Sequence, residues 1–205
     1  MHRSRIARDV KVFALQLLRD QIGAMVFPAH RLDRKTSGVL LFAKSRLLNN
    51  ELQALFREQK FHKYYVAIVR GFIPEKGIID YPLRVDDKVQ EAQTAYQLLK
   101  QYEIDLPFGK FNSSRYSLVG LRPQTGRFHQ LRKHMAHLRH PIIGDRPHGC
   151  NKQNRLWKDQ FEMTTMMLHA KRLEFDWIDG TKVRIEADYS SEFKRSLKIL
   201  ENQQV

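Results

Sequence analysis

The sequence predicts an α+β fold: a mixed, mostly antiparallel sheet with flanking helices and loops. Three observations carry this. Short runs rich in aromatic and β-branched residues, such as Lys63–Val69 (KYYVAIV), end at turn residues and read as strands. Other segments repeat their apolar residues at helical spacing. The connections are short, with no repeat, low-complexity tract or Gly/Ser linker, which favours antiparallel neighbours in one domain over residues 1–205.

The elements follow in order. Val10–Ile22 reads as a helix, with Val10, Phe13, Leu17 and Leu18 near helical spacing, Asp9 able to cap it and Gly23 ending it. Val39–Ala43 (VLLFA) is an unbroken apolar run of strand length, so a buried strand is expected. Ser45 opens a second helix with Leu48, Leu52, Leu55 and Phe56 on one face. Tyr96–Leu99 and Tyr116–Leu121 resemble strands, with loops marked by Pro107, Gly109 and Asn112–Ser114. Arg127–His140 reads as a helix with a stripe of Phe128, Leu131, Met135 and Leu138. A long polar loop is expected from Pro141 to about Glu162. Leu168–Trp177 and Thr181–Ala187 form a hairpin across Asp179-Gly180. Ser191–Leu200 closes the chain as an amphipathic helix with Phe193 and Leu197 inward.

Composition narrows the class of function. The 205 residues suffice for a sizeable core, and 42% hydrophobic and 28% charged residues are ordinary for a globular protein. No apolar run is long enough to span a membrane, and the first residues lack an apolar signal core. The single cysteine, Cys150, fits a reducing compartment, and the cytoplasm is expected. The net charge is +14. Its excess sits in two blocks, residues 1–60 and 121–155, each with a net +7. Two such blocks can form one patch in space, the footprint of a phosphate backbone, so RNA or DNA is the expected partner. Solubility, or an acidic protein partner, is the alternative.

The most informative stretch is His30-Arg31-Leu32-Asp33-Arg34-Lys35-Thr36-Ser37-Gly38. It sets one carboxylate, Asp33, among Arg31, Arg34 and Lys35, and nearby positive charge favours an ionised acid. An acid beside arginines is more often a structural ion pair than a catalyst. The adjacent Thr-Ser-Gly turn and apolar run, however, would hold this loop rigidly at a sheet edge. In Lys63–Val69 only one of Tyr64 and Tyr65 can face a given side of the sheet. Arg127, Arg132, Lys133 and Arg139, on a helix after the Thr125-Gly126 turn, would bind phosphates well, unless they form a solvated face. Histidines 129, 134, 137 and 140 lack the cysteines, acids and spacing of a zinc site, so no metal is expected. No Gly-rich nucleotide loop appears.

His30–Lys44 (HRLDRKTSGVLLFAK) resembles the catalytic motif of the RluA-type pseudouridine synthases over fifteen consecutive residues. Lys63-x-Tyr65-x-Ala67 and Thr125–His134 (TGRFHQLRKH) resemble two further signatures of that family. The resemblance runs from about His2 to Asp188. It implies the pseudouridine synthase fold and the isomerisation of uridine in RNA, with no cofactor. It also implies Asp33 as the catalytic carboxylate, Tyr65 against the target base and Arg132 paired with Asp33. RNA contacts are expected from Arg31, Arg34, Lys35, Lys63, Arg127, His129, Lys133 and Arg139. The run His148–Arg155 (HGCNKQNR) and residues 2–23 are closer to a tRNA-modifying branch that acts on uridine 65 in the acceptor/T-stem region. A ribosomal RNA target and a non-catalytic RNA-binding protein are the alternatives. Whether Asp33 attacks C1′ or removes a sugar proton stays open. Family members begin with a strand and an NKP-x-G segment ahead of Met1, so a shortened catalytic domain, acting as a monomer, is expected.

Overall fold

The computed structural model describes residues 13–85 and 87–205. The chain runs α1 (Ala14–Ile22), β1 (Phe27–Pro28), β2 (Ser37–Gly38), β3 (Phe42–Ala43), α2 (Arg46–Arg57), β4 (His62–Arg70), β5 (Lys76–Asp80), β6 (Leu83–Val85), β7 (Lys88–Gln90), β8 (Gln93–Ile104), β9 (Ser114–Pro123), α3 (Gln130–His137), α4 (Asn151–Phe161), β10 (Leu168–Asp176), β11 (Lys182–Glu186) and α5 (Ser191–Asn202). The expected α+β architecture is present. A central sheet orders its strands β11-β10-β4-β9-β8-β5, all antiparallel, and β2 joins β10 in parallel. β4 lies inside this sheet, so Val66, Ala67, Ile68 and Val69 are all buried, which explains an apolar run without alternation.

One apolar cluster joins this sheet to Leu131 and Met135 of α3, Trp157 of α4 and Phe193 and Leu200 of α5. A second joins Ala29, Val39 and Ala43 to Leu52 and Leu55 of α2 and to Leu173 and Phe175 of β10. The segment carrying Asp33 bridges the two. It leaves the second cluster at Ala29 and reaches β10, where Ser37 and Gly38 pair with His169 and Ala170. Gly38 has φ 109°, and a Cβ there would overlap the Ala170 backbone, so only glycine allows this approach.

Several expectations need correction. Val39–Ala43 is not one strand. Its ends belong to different small pairings: Val39 N–H donates to the Ala170 carbonyl, while the Leu41 carbonyl accepts from Ala29 N–H. The run is apolar because it fills the space between α2 and β10, a demand that a hydrophobic pattern cannot distinguish from a strand. The helix expected at 10–22 is seen from Ala14. Val10 and its proposed cap Asp9 lie outside the described residues, and α1 buries no residue. The helix expected over 127–140 spans only Gln130–His137, because His129 takes a left-handed conformation (φ 56°) and Arg139 another (φ 63°). The loop expected over 141–162 contains α4. Its buried face is Gln153 and Trp157, four residues apart, with Phe161 packed behind them. One of these inward residues is polar, which hid the stripe. Strands β5, β6 and β7 were not anticipated, and β8 and β9 extend well beyond their expected cores. The Ser45 cap is as expected, its hydroxyl accepting Leu48 N–H at 3.2 Å.

Candidate active site

Asp33 sits at the head of a tight turn in which its carbonyl accepts Thr36 N–H at 3.0 Å. Lys35 in that turn has φ 70°. His129, on the other side of Asp33, is also left-handed, and non-glycine residues in that region store about 1–3 kcal/mol each. Strain held on both sides of one carboxylate is a feature of functional loops. The turn opens onto a cavity of about 330 Å³ whose wall includes Arg31, Asp33, Lys63, Tyr65, Arg127 and His129. The two basic blocks of the sequence therefore meet here.

The carboxylate is held from α3. Arg132 Nη1 donates to Asp33 Oδ2 at 3.2 Å. The bidentate pairing of Arg132 is with a different acid: its Nε and Nη2 donate to Asp145 Oδ2 and Oδ1 at 2.9 and 2.7 Å. Arg132 is 6% exposed and Asp145 1%, whereas the Asp33 side chain is 24% exposed. Arg132 is thus no surface phosphate ligand. It is a buried cation shared by two carboxylates, and the partly exposed one, Asp33, faces the cavity. Asp145 was not singled out in the sequence. Its only signal was a Gly144-Asp145 step after an apolar Ile-Ile pair. It is fixed in turn by Asn154, whose Nδ2 donates to the Asp145 carbonyl at 2.7 Å and whose Oδ1 accepts Gly144 N–H at 2.8 Å.

The start of α3 is organised by a second unanticipated residue, the buried Gln130. Its Oε1 accepts the Thr125 hydroxyl at 2.7 Å and Arg127 N–H at 3.0 Å. Its Nε2 donates to the Gln93 carbonyl and Thr94 Oγ1. These bonds tie the Thr-Gly-Arg turn to β8 and satisfy the Arg127 N–H just ahead of the helix. His134 completes the network: its Nε2–H donates to the Tyr81 carbonyl at 3.0 Å, which leaves Nδ1 to accept the Thr94 hydroxyl.

Tyr64 and Tyr65 do face opposite ways. Tyr65 lines the cavity, while Tyr64 packs against the guanidinium groups of Arg122 and Arg172. Burial pushes the Tyr65 phenol up to about 12, and the Asp33 charge adds to the shift. At neutral pH it is therefore a hydrogen-bond donor rather than a phenolate base. His129 lies 3.9 Å from Asp33 Oδ2, stacks on Phe128 and contacts His148 at 2.9 Å. Burial is the largest influence that holds it down to about 4, so it is neutral and adds no positive charge. His30 of the Asp33 motif is likewise lowered to about 4 by burial and the nearby Lys63 charge, and its Nε2 accepts Leu41 N–H at 3.1 Å.

The other expected RNA ligands are dispersed. Arg31, Lys63 and Arg127 line the cavity, Lys63 over the Phe56 ring and Arg127 bound to the Glu91 carbonyl. Lys35 turns away to the Thr164 carbonyl at 2.7 Å. Lys133 reaches the Arg84 carbonyl at 3.1 Å. Arg34 is exposed on the turn, and Arg139 is exposed beyond the end of α3. Among the described residues no group of His, Cys, Asp and Glu is arranged to hold a metal ion. No described helix is long and apolar enough to cross a membrane.

Residues 2–137 match the family model described as RNA pseudouridylate synthase. The chain belongs to the RNA pseudouridylate synthase family. Its reaction class is the isomerisation of uridine to pseudouridine in RNA. The chain is 48% identical to tRNA pseudouridine synthase C of Vibrio parahaemolyticus, over 85% of this chain and 76% of that protein. It is 47% identical to the protein of that name from Salmonella typhimurium, over 85% of this chain and 72% of the relative. Among solved structures, human RNA pseudouridylate synthase domain containing 1 superposes with a TM-score of 0.70 at 25% identity, covering 84% of this chain and 72% of that one. Human RNA pseudouridylate synthase domain containing 4 gives 0.69 at 25% identity, covering 91% and 80%.

Proposed function

We propose that the chain converts one uridine of tRNA, uridine 65, to pseudouridine, with Asp33 as the catalytic carboxylate. The observation that carries this reading is the partly exposed Asp33 at the cavity wall, held at 3.2 Å by a buried Arg132 whose charge is balanced elsewhere. The tRNA target rests on the names of the relatives at 46–48% identity.

The reaction breaks C1′–N1, turns the base and joins C1′ to C5. N1 gains a proton and C5 loses one, so no oxidant, reductant or transferred group is needed. A uridine within a stem must first leave the helix. Arg31, Lys63 and Arg127 around the cavity would offset part of the unstacking cost through phosphate contacts. Asp33 then attacks C1′ or removes a sugar proton, and in either route its negative charge is lost for a time. Arg132 would be left as an unpaired buried cation, costing several kcal/mol, if Asp33 were its only partner. Asp145 prevents that, so Asp33 can change charge without unbalancing the core. Tyr65, neutral and partly buried at the cavity wall, packs on the base and can donate a hydrogen bond to it.

The test is a tRNA transcript incubated with the protein and mapped for pseudouridine. Modification at position 65 alone is expected. Modification of a ribosomal RNA fragment but not of tRNA would overturn the substrate, and RNA binding without isomerisation of any transcript would overturn the activity.

A further inference from the structure

A second cavity, of about 730 Å³, lies beyond the Asp33 turn, between that turn and α4. Its charged lining is Lys35, Arg146, Arg155 and Lys158, with Asp159 as its one acid. Among the described residues, the side chains of Arg146, Arg155 and Lys158 form no ion pair or hydrogen bond. Four cations against one acid repel one another and destabilise a fold, and an exposed surface normally intersperses the two signs. Here the cations crowd enough that Arg146 and Arg34 add to burial in lowering Lys35.

The walls are built rather than incidental. Lys35 is clamped at both ends, its Nζ donating to the Thr164 carbonyl at 2.7 Å and its own carbonyl accepting the Thr165 hydroxyl at 3.1 Å. Gly144 packs so closely on Thr165 that a Cβ would overlap its carbonyl oxygen, and Asn154 holds Gly144 from α4. Arg155 and Lys158 project from adjacent positions on one helical face, while Trp157 anchors the helix in the core.

We propose that this cleft is the track for the RNA backbone next to the target nucleotide, with Arg146, Arg155 and Lys158 each neutralising a phosphate. The inference rests on the RNA-modifying reading above. One turn serves both cavities: Asp33 and Thr36 line the reactive one and Lys35 lines the cleft, with Asp33 and Lys35 at most about 7 Å apart along the chain. Exposed arginine and lysine side chains in a groove read phosphates without base specificity. The cleft therefore adds affinity and orientation for the strand, and it reads no sequence. Of this cleft only Lys35 is an RNA contact expected by name; Arg146 and Arg155 belong to the basic block 121–155 and Lys158 lies outside it. The other three come from α4 and the turn before it, in the region read as a loop.

The experiment measures tRNA binding across salt concentrations for the full chain and for R146Q/R155Q/K158Q. All three side chains are exposed, and unchanged circular dichroism and melting temperature of the variant establish that it folds. Each phosphate contact contributes about 0.7–0.9 to the slope of log affinity against log salt. Three contacts predict a slope shallower by about 2–3 in the variant. Over a fourfold rise in salt, the unmodified chain then loses about 20–40-fold more affinity than the variant. Equal affinity and equal slope for both proteins would overturn the track, as would absence of tRNA binding by the unmodified chain. Pseudouridine formation by the unmodified chain is measured on the same preparation. If that activity is present and the slopes are equal, the cleft fails and the enzyme reading stands. If it is absent and the slope still flattens, the enzyme reading fails and the RNA track stands.

Discussion

Replacing Asp145 with asparagine keeps the shape of the side chain and removes its charge from a place where the charge matters. Asp145 is 1% exposed and takes two bonds from Arg132, which is itself 6% exposed. The asparagine oxygen can replace one acceptor, but its amide would point at the guanidinium. Breaking a buried ion pair from one side costs about 3–5 kcal/mol, because the remaining charge stays out of water. Asp33 still offers Arg132 one bond at 3.2 Å, so the expected cost lies near the lower end, about 3 kcal/mol. For a chain of 205 residues that is a fall in melting temperature of about 6–12 °C. The assay is chemical or thermal unfolding of D145N, R132M and the double variant. The double variant should lose less than the sum of the singles by at least about 1.5 kcal/mol, since removing both charges removes the imbalance. Additive losses, or a D145N cost below about 0.5 kcal/mol, would refute the claim that Asp145 is the permanent partner of Arg132.

Three further outcomes follow from the geometry. The proton affinity of His30 falls from 6.5 to about 4 on folding, so between those values the unfolded chain binds a proton that the folded chain does not. Stability is therefore lost as pH falls through that window, by up to about 3 kcal/mol from this group, and H30Q should flatten the acid limb of stability against pH; an unchanged slope would count against a neutral His30. Gly38→Ala should lower stability by more than about 2 kcal/mol and reduce activity, because a Cβ overlaps the Ala170 backbone at φ 109°; wild-type melting would show that β2 and β10 are not in contact. Y65F should retain tRNA affinity while slowing the single-turnover rate about 100-fold, in the range of one lost positioned proton donor; an unchanged rate would reduce Tyr65 to a packing surface.

The sequence made the local parts of this site legible and left the long-range ones obscure. The strand around Tyr65, the Ser45 cap and the Asp179-Gly180 hairpin rest on neighbouring residues, and each is where the pattern put it. The meeting of Asp33 with Arg132 came from resemblance, since nothing in composition or periodicity links residues 99 apart. The same resemblance covers Gly144-Asp145 but gives that acid no role, because nothing local in the run shows that it meets Arg132. Val39–Ala43 departs from the expected strand because space filling and strand pairing demand the same residue types. α4 was missed because its inward face holds Gln153 beside Trp157, and a helix with one polar core position shows almost no stripe. His129 and Lys35 show why the basic motif could not be read as a simple phosphate patch: backbone strain and burial turn one ring neutral and swing the other side chain toward Thr164.

The most direct test of the central claim is a single-turnover assay of tritium release from C5 of uridine in tRNA, comparing the unmodified chain with D33N. Asparagine preserves the size of the side chain and keeps an acceptor for Arg132, so D33N should fold and bind tRNA. It is expected to release no tritium above background and to form no pseudouridine. Release by D33N at the unmodified rate would contradict the assignment of Asp33 as the catalytic carboxylate.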